Sequence, residues 1–294
     1  MKQQKRIFAL GFFDGVHLGH QALLGACVSL AGFAGAEAAA ITFDRHPRSL
    51  FTQDPPPLIS TAASRRLLLG RYGITYVKQY PVIPEVMGMP WEEFLTGLLE
   101  EGAVGFVCGD DFRFGCRNEG NVQGLVKFCE DRGLPCAIVP EQTVDGKRVS
   151  STYVRSQIEC GDMETAKRFL GHPHIVSGVV VPGKQLGRTL GIPTANIRLE
   201  EGLVVPKFGV YACRVTIDGK TYSAVTNVGT RPTVSGVGVT VEPWILDFDG
   251  NLYGQEITLE FHRFLRPETR FNGLEALKAQ INRDAETTRN YFNA

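Results

Sequence analysis

The chain has 294 residues, 43% hydrophobic and 21% charged, with 31 Lys and Arg against 31 Asp and Glu. That length fits two domains of ordinary size, each able to bury its own core. The charge balance excludes a dedicated nucleic-acid or anionic-membrane binder, since 18 basic and 19 acidic residues up to position 170 and 13 and 12 beyond it hide no basic half, and the composition excludes disorder, collagen and a disulfide scaffold.

From Ile7 to about Leu170, short apolar runs alternate with helical patterns. IFAL (7–10), AAAITF (38–43), ITYVKQY (74–80), AVGFVC (103–108) and PCAIVP (135–140) read as strands; Gln21–Ala31, Ser64–Tyr72, Trp91–Glu101 and Val122–Arg132 read as the helices between them. Strands separated by helices need crossover connections, so the expected architecture is α/β, a doubly wound parallel sheet. After Gly171 the helical periodicity disappears until the last twenty residues. Asp218-Gly219 and Asp249-Gly250 each sit between apolar runs as hairpin signals. The second part is therefore expected to be a small antiparallel β-barrel. A final amphipathic helix, with Leu274, Leu277, Ile281 and Tyr291 roughly on one face, packs against its outside. The expected domains are 1–170 and 171–294.

The apolar-leaning run Ala26–Ala36 is about half the length that spans a bilayer, and the apolar stretch near the start is too short for a signal peptide. The seven cysteines are odd in number and include no C-x-x-C pair, which reads as free thiols in a reducing cytoplasm and no zinc site.

GFFDGVHLGH, Gly11 to His20, follows the first strand and opens the first helix, where a parallel sheet presents its ligands. Gly11, Gly15 and Gly19 allow close backbone approach to a phosphate, and the helix start offers unpaired N–H groups. His17 and His20, three apart, share one face of a helical turn and can donate to triphosphate oxygens and to a departing pyrophosphate. The alternative is a tight turn with surface histidines. Neither a Walker loop nor G-x-G-x-x-G occurs. Three further polar segments follow later strands: TFDRHPRSLF with Arg45, His46 and Arg48; CGDDFRFG with Asp110, Asp111 and Arg113; and SSTYVR, with hydroxyl caps at a helix start and Arg155 one turn in. Each alone also reads as an ordinary loop or cap.

These residues resemble the nucleotidyltransferase superfamily with the H-x-G-H signature, and GDDFRFG and SSTYVR resemble the adenylyltransferase module of bacterial bifunctional riboflavin kinase/FAD synthetases. The resemblance implies His17 and His20 on ATP phosphates, Ser151, Thr152 and Arg155 on the triphosphate, and Gly11, Phe13, Asp14 and Gly15 in the nucleotide pocket. Asp110 then lies near the adenosine or metal side. Phe12 stands where the family often has Asn, and Asp44-Arg45 where Glu-Pro is usual.

GKQLGRTLGIPTAN, Gly183 to Asn196, is the most specific run in the chain. Gly183, Gly187 and Gly191 with Lys184 and Arg188 make a loop suited to closing over phosphates, or a plain Gly-rich turn. Pro193 precedes Thr194, whose hydroxyl can join the Asn196 amide oxygen on a hard cation such as Mg²⁺. In TVEPWILDF, Thr240, Glu242 and Trp244 alternate onto one strand face. Glu242 is either solvent-facing or, pointed into a barrel mouth, able to take a proton from a substrate hydroxyl. Phe264 and Leu265 could cover a flat ring, and Arg266 could reach a phosphate.

GRTLGIPTAN, NVGTRPT, VE…LDF, LYG and FLRPE stand in the order of the riboflavin kinase family, over most of residues 175–290, with Pro243-Trp244 departing from it. That resemblance implies Thr194 and Asn196 as ATP and Mg²⁺ residues and Glu242 as catalytic base. Together the two resemblances imply an enzyme that phosphorylates riboflavin with MgATP to FMN and adenylylates FMN with a second ATP to FAD. Its partners would be these small molecules, with no nucleic acid or membrane, in a cytoplasmic monomer or weak homo-oligomer. H-x-G-H is shared with class I aminoacyl-tRNA synthetases, but no K-M-S-K-S loop is present; a non-catalytic flavin or nucleotide binder is the other rival.

Overall fold

The computed structural model describes residues 4–182, 192–233 and 236–293. The chain divides into two units, Met1–Leu58 with Ala62–Ser151 and Ile59–Thr61 with Thr152–Ala294. The packing boundary therefore falls before the expected division at 170, because the two helices between these points belong to the second unit.

In the first unit the elements run β1 (Arg6–Ala9), α1 (Leu18–Ala34), β2 (Glu37–Phe43), α2 (Ala62–Arg71), β3 (Tyr76–Tyr80), a short α3 (Pro84–Met87), α4 (Trp91–Glu100) and β4 (Ala103–Gly109). A small ribbon of β5 (Arg113–Phe114) and β6 (Gly120–Asn121) leads to α5 (Val122–Glu130) and β7 (Cys136–Val139), and a second ribbon, β8 (Thr143–Val144) with β9 (Lys147–Arg148), closes the unit. The five main strands form one parallel sheet in the order β3-β2-β1-β4-β7. Such a sheet is covered on both faces, which is why β2 reads EAAAITF as an almost unbroken apolar run with its middle buried. Phe8, Ile41, Leu95, Phe106, Leu125 and Phe128 form the core beneath the helices. All five expected strands and all four expected helices of this half are present, with ends moved by a few residues. Strand order reverses between β1 and β4, and beside that reversal the loops after the strands can diverge to leave a crevice.

The second unit continues with α6 (Ser151–Cys160) and α7 (Met163–Leu170), the latter capped by Asp162, whose Oδ1 accepts from the Thr165 N–H at 2.9 Å. Then come β10 (His174–Val181), β11 (Asn196–Arg198), β12 (Gly209–Ile217), β13 (Lys220–Thr233), β14 (Gly236–Ile245) and β15 (Glu256–Arg266), closed into a barrel in the order β10-β11-β14-β13-β12-β15. Closure pairs every edge. Asp218 (φ 49°) and Gly219 (φ 76°) make the expected two-residue turn between β12 and β13. The second hairpin signal does not act as one: β14 pairs with β11 and β13, β15 pairs with β10 and β12, and Asp249-Gly250 lies in the connection between non-neighbouring strands. A turn dipeptide bends the chain, but the barrel order decides which strands meet.

The last helix, α8 (Leu274–Asn293), packs against β12 and β13. Asp284, Ala285 and Thr288 are buried on it, and the Tyr291 ring lies 6.4 Å from that of His262.

Candidate active sites

The first site grows from the end of β1. Phe13 (φ 59°), Gly15 (φ 74°) and Val16 (φ 43°) all take left-handed backbone, a costly state for a β-branched valine. Such strain persists only where surrounding bonds over-determine it. Here the Ser151 hydroxyl donates to the Asp14 carbonyl at 3.2 Å, Gln21 Nε2 to the Val16 carbonyl at 2.9 Å, and the Thr42 hydroxyl to the Phe12 carbonyl at 2.8 Å. A side chain at Gly11 would stand 2.9 Å from the Phe13 ring, so this glycine admits a neighbouring aromatic as well as any ligand.

The loop delivers His17 to the start of α1 as its N-cap, with Nδ1 accepting from the His20 N–H at 3.3 Å. The two imidazoles stack with centroids 3.6 Å apart and planes 11° from parallel, and Phe13 stands edge-on to His20 at 5.2 Å. Burial, then the charges of His17 and Arg65, hold the His20 imidazole well below its ordinary pKa, so it is neutral at pH 7. Its Nδ1 is buried with no hydrogen-bond partner among the described residues.

A cavity of about 400 Å³ opens over this end of the sheet, bounded by the loops after β1, β4 and β7. Gly11, Phe13, His17, His20, Asp110 and Ser151 line it together. Asp14 and Gly15 are buried within the loop instead and shape it. Thr152 and Arg155 belong to the second unit. The lining also includes residues not singled out from the sequence as site residues, notably Phe12, Phe112 and Arg148. Arg148 pairs with Asp111 and, at 2.8 Å, with Glu141, while Asp110 Oδ2 accepts from the Glu141 N–H at 3.1 Å. Arg45, His46 and Arg48 lie in the segment after β2, where His46 Nδ1 caps a short turn by accepting from the Arg48 N–H at 3.0 Å.

The second site is in the barrel. Along β14, Val241 and Pro243 are buried, while Glu242 and Trp244 turn to a cavity of about 510 Å³ that Thr194, Asn227, Arg266 and Glu268 also line. Glu242 sits opposite Asn227 in the β13–β14 register. Helix α8 closes one wall with Leu274, Leu277 and Ile281, three of the four residues expected on its apolar face. Thr194 also lines a second cavity, of about 730 Å³, together with Pro193, Asn196, Phe248, Asp249 and Tyr253. One residue thus touches both spaces, and the Ala195 N–H, donating to the Pro243 carbonyl at 2.9 Å, ties the P-T-A-N segment to the strand that carries Glu242. Thr194 and Asn196 bring a hydroxyl and an amide oxygen to the larger cavity, neutral hard donors of the kind that fit Mg²⁺ when phosphates complete its shell. Gly183, Lys184, Gly187, Arg188 and Gly191 lie outside the described residues.

The three residues expected at the flavin separate. Arg266 lines the cavity and is gripped by Asp284. Phe264 stands edge-on to Tyr211 at 5.2 Å, with the Lys207 ammonium 4.9 Å from its ring centre, and Leu265 packs with the core around Val210, Val225, Leu246 and Ala285. Val210 pairs with Arg266 but Tyr211 with Phe264, so the register slips at Leu265 and breaks the alternation that simple spacing assumes.

The fold and the cavities define a two-module arrangement, a cavity at the end of a parallel sheet lined by His17 and His20 and a second in the barrel unit lined by Glu242. Comparison with known families agrees with it: residues 1–153 match the FAD synthetase model and residues 170–292 the riboflavin kinase model. The bifunctional riboflavin kinase/FMN adenylyltransferase of Listeria monocytogenes is 34% identical, covering 98% of this chain and 92% of its own, and that of Escherichia coli 36% identical, covering 99% and 94%. A crystal structure titled as a macrolide-efflux protein from Streptococcus pneumoniae superposes with a TM-score of 0.87 at 29% identity, covering 98% of this chain and 94% of that one. Among the described residues no helix is long and apolar enough to cross a membrane. The chain belongs to the bifunctional riboflavin kinase/FMN adenylyltransferase family.

Proposed function

We propose that the barrel makes FMN from riboflavin and ATP and that the sheet then makes FAD from FMN and a second ATP. The observation that carries the kinase half is Glu242 facing a cavity that shares Thr194 with a neighbouring cavity, one space for the acceptor and one for the phosphoryl donor. Glu242 takes the proton of the ribityl 5′-hydroxyl as its oxygen bonds the γ-phosphorus and ADP leaves. Thr194 and Asn196 hold Mg²⁺, which when bound neutralises phosphate charge. Gly183, Gly187 and Arg188 are assigned to the ATP phosphates on the resemblance of their motif alone.

For the adenylyl step, the FMN phosphate is already ionised and attacks the α-phosphorus of ATP, releasing pyrophosphate, so no general base is required. The work is alignment and charge stabilisation. The stacked His17–His20 pair supplies N–H donors on the triphosphate side, with Ser151, Thr152 and Arg155 assigned to the same phosphates. Gly11, Phe13, Asp14 and Gly15 shape the pocket and Asp110 takes the adenosine side. At the flavin end of the kinase cavity the assignment keeps Arg266. Phe264 and Leu265 act there by supporting the wall, in keeping with their packing.

The two activities divide near residue 170. Balanced charge and free thiols favour a cytoplasmic monomer or weak homo-oligomer acting on small molecules and not on nucleic acid. The test is incubation with riboflavin and MgATP, resolving FMN and FAD by chromatography. Absence of FMN defeats the kinase assignment, and FMN without FAD defeats the adenylyl assignment.

A further inference from the structure

Among the described residues Arg65 is the largest fully buried side chain, with 0% of its surface exposed. It comes from the inner face of α2, with Leu68 and Leu69 one turn on. Its Nη1 donates to the Thr42 hydroxyl oxygen and the Phe43 carbonyl, both at 2.9 Å, and to the Phe12 carbonyl at 3.4 Å. The Thr42 hydroxyl in turn donates to that same Phe12 carbonyl. The guanidinium lies 4.3 Å from the centre of the Phe12 ring. One side chain thus ties the end of β2 to the strained loop after β1.

The arrangement is an expensive way to hold two strands together. Nε and Nη2 of Arg65 are buried with no hydrogen-bond partner among the described residues, and desolvation works against the charge, opposed by Asp14 and Asp44. An apolar side chain of similar volume would fill the same space without unpaired donors. What it would lack is a grip on the Phe12 carbonyl, immediately before the left-handed residues that deliver His17 and His20. Arg65 is not among the described residues that line the cavity. It therefore acts on the reaction without touching a reactant, through the loop it holds and through its charge on His20.

We propose that Arg65 is a positioning residue for adenylyl transfer, holding the Phe12–Val16 loop, and through it the His17–His20 pair, in register with the end of β2. The proposal rests on the reading of this cavity as the adenylyl site. A group that orients without touching substrate changes how well the bound reactants are aligned, and so acts on kcat more than on KM.

The test is steady-state FAD formation from FMN and ATP by the full chain, with FMN formation from riboflavin measured on the same preparations. Arg65→Met is expected to lower the adenylyl kcat roughly 10- to 100-fold with KM for ATP and FMN essentially unchanged and the kinase unaffected. Arg65→Lys should recover most of the rate, because an ammonium carries three donors for the three acceptors now on Nη1. The proposal is overturned if Arg65→Met keeps wild-type kcat, if its loss lies in KM, or if Arg65→Lys is as slow as Arg65→Met. Should Arg65→Met fail to fold, Thr42→Val decides: removing the shared hydroxyl should cost roughly fivefold in kcat, about one neutral hydrogen bond, and wild-type kcat there defeats the proposal. His20→Ala run in parallel separates the two claims, since full adenylyl activity in that variant would refute the site assignment itself.

Discussion

Asp284 holds Arg266 through both carboxylate oxygens, with Nε at 3.1 and 3.0 Å and Nη2 at 2.8 Å, joining the end of β15 to the middle of α8 at the wall of the barrel cavity. Gln280 adds a donor to Asp284 Oδ1 at 2.9 Å, and the carboxylate residue is only 5% exposed. Removing the acid strands a mostly buried guanidinium. Asp284→Ala should therefore destabilise the barrel by about 3 kcal/mol, read as a shift in the urea midpoint at unchanged slope. A shift of a few tenths would show the pair to be solvent-screened.

Glu242→Gln keeps the shape and removes the proton acceptor. FMN formation should fall by roughly 10²- to 10⁴-fold, while FAD formation from added FMN continues at the wild-type rate. If both activities drop in a folded protein, the two-site assignment is wrong.

Gly15 has φ 74° in a turn already carrying two left-handed non-glycine residues. Gly15→Ala should cost about 1–2 kcal/mol and depress adenylyl transfer, because the loop can relax only by moving His17. Thermal melting and FAD synthesis test this together; a stable variant with full FAD synthesis would show that the loop tolerates a side chain there.

His174 is buried in the barrel with both ring nitrogens unpartnered among the described residues, and burial, helped by His172, pushes its pKa down to about 3. The unfolded chain takes up this proton near 6.5 and the folded chain does not, so below pH 6.5 the unfolded state binds more protons. Barrel stability should fall by about 1.4 kcal/mol per pH unit as pH drops from about 6.5 towards 3. Urea melts followed through Trp244 in a Trp91→Phe background can measure the slope, and His174→Leu should flatten it. An unchanged slope in that variant would assign the acid sensitivity elsewhere.

Among the cysteines Cys160 is exposed, whereas Cys27, Cys108 and Cys213 are buried. Burial also raises their thiols, Cys27 to about 11 and Cys108 to about 12. Iodoacetamide under native conditions should label Cys160 first and leave these three intact until unfolding, as peptide mass mapping can establish.

Much of this molecule is written in local order. Continuous apolar runs such as EAAAITF belong to strands covered on both faces, and Asp218-Gly219 supplies the left-handed pair its hairpin needs, so the sheet, the barrel class and the His17–His20 spacing are legible from neighbouring residues alone. Arg65 left a fainter trace, a cation at helical spacing from Leu68 and Leu69, where an apolar residue would be expected.

Other features depend on partners far away in sequence. Whether Glu242 faces solvent or a cavity depends on which side of β14 the closed barrel makes its interior, and Asp249-Gly250 looks like a hairpin until strand order places β14 and β15 apart. The slip at Leu265 turns Arg266 to the cavity and leaves Phe264 against Tyr211, an outcome of the β12–β15 pairing that no spacing rule contains. Periodicity records which face of an element is buried. It does not record what is buried against it, and that is settled only when distant segments compete for the same interior.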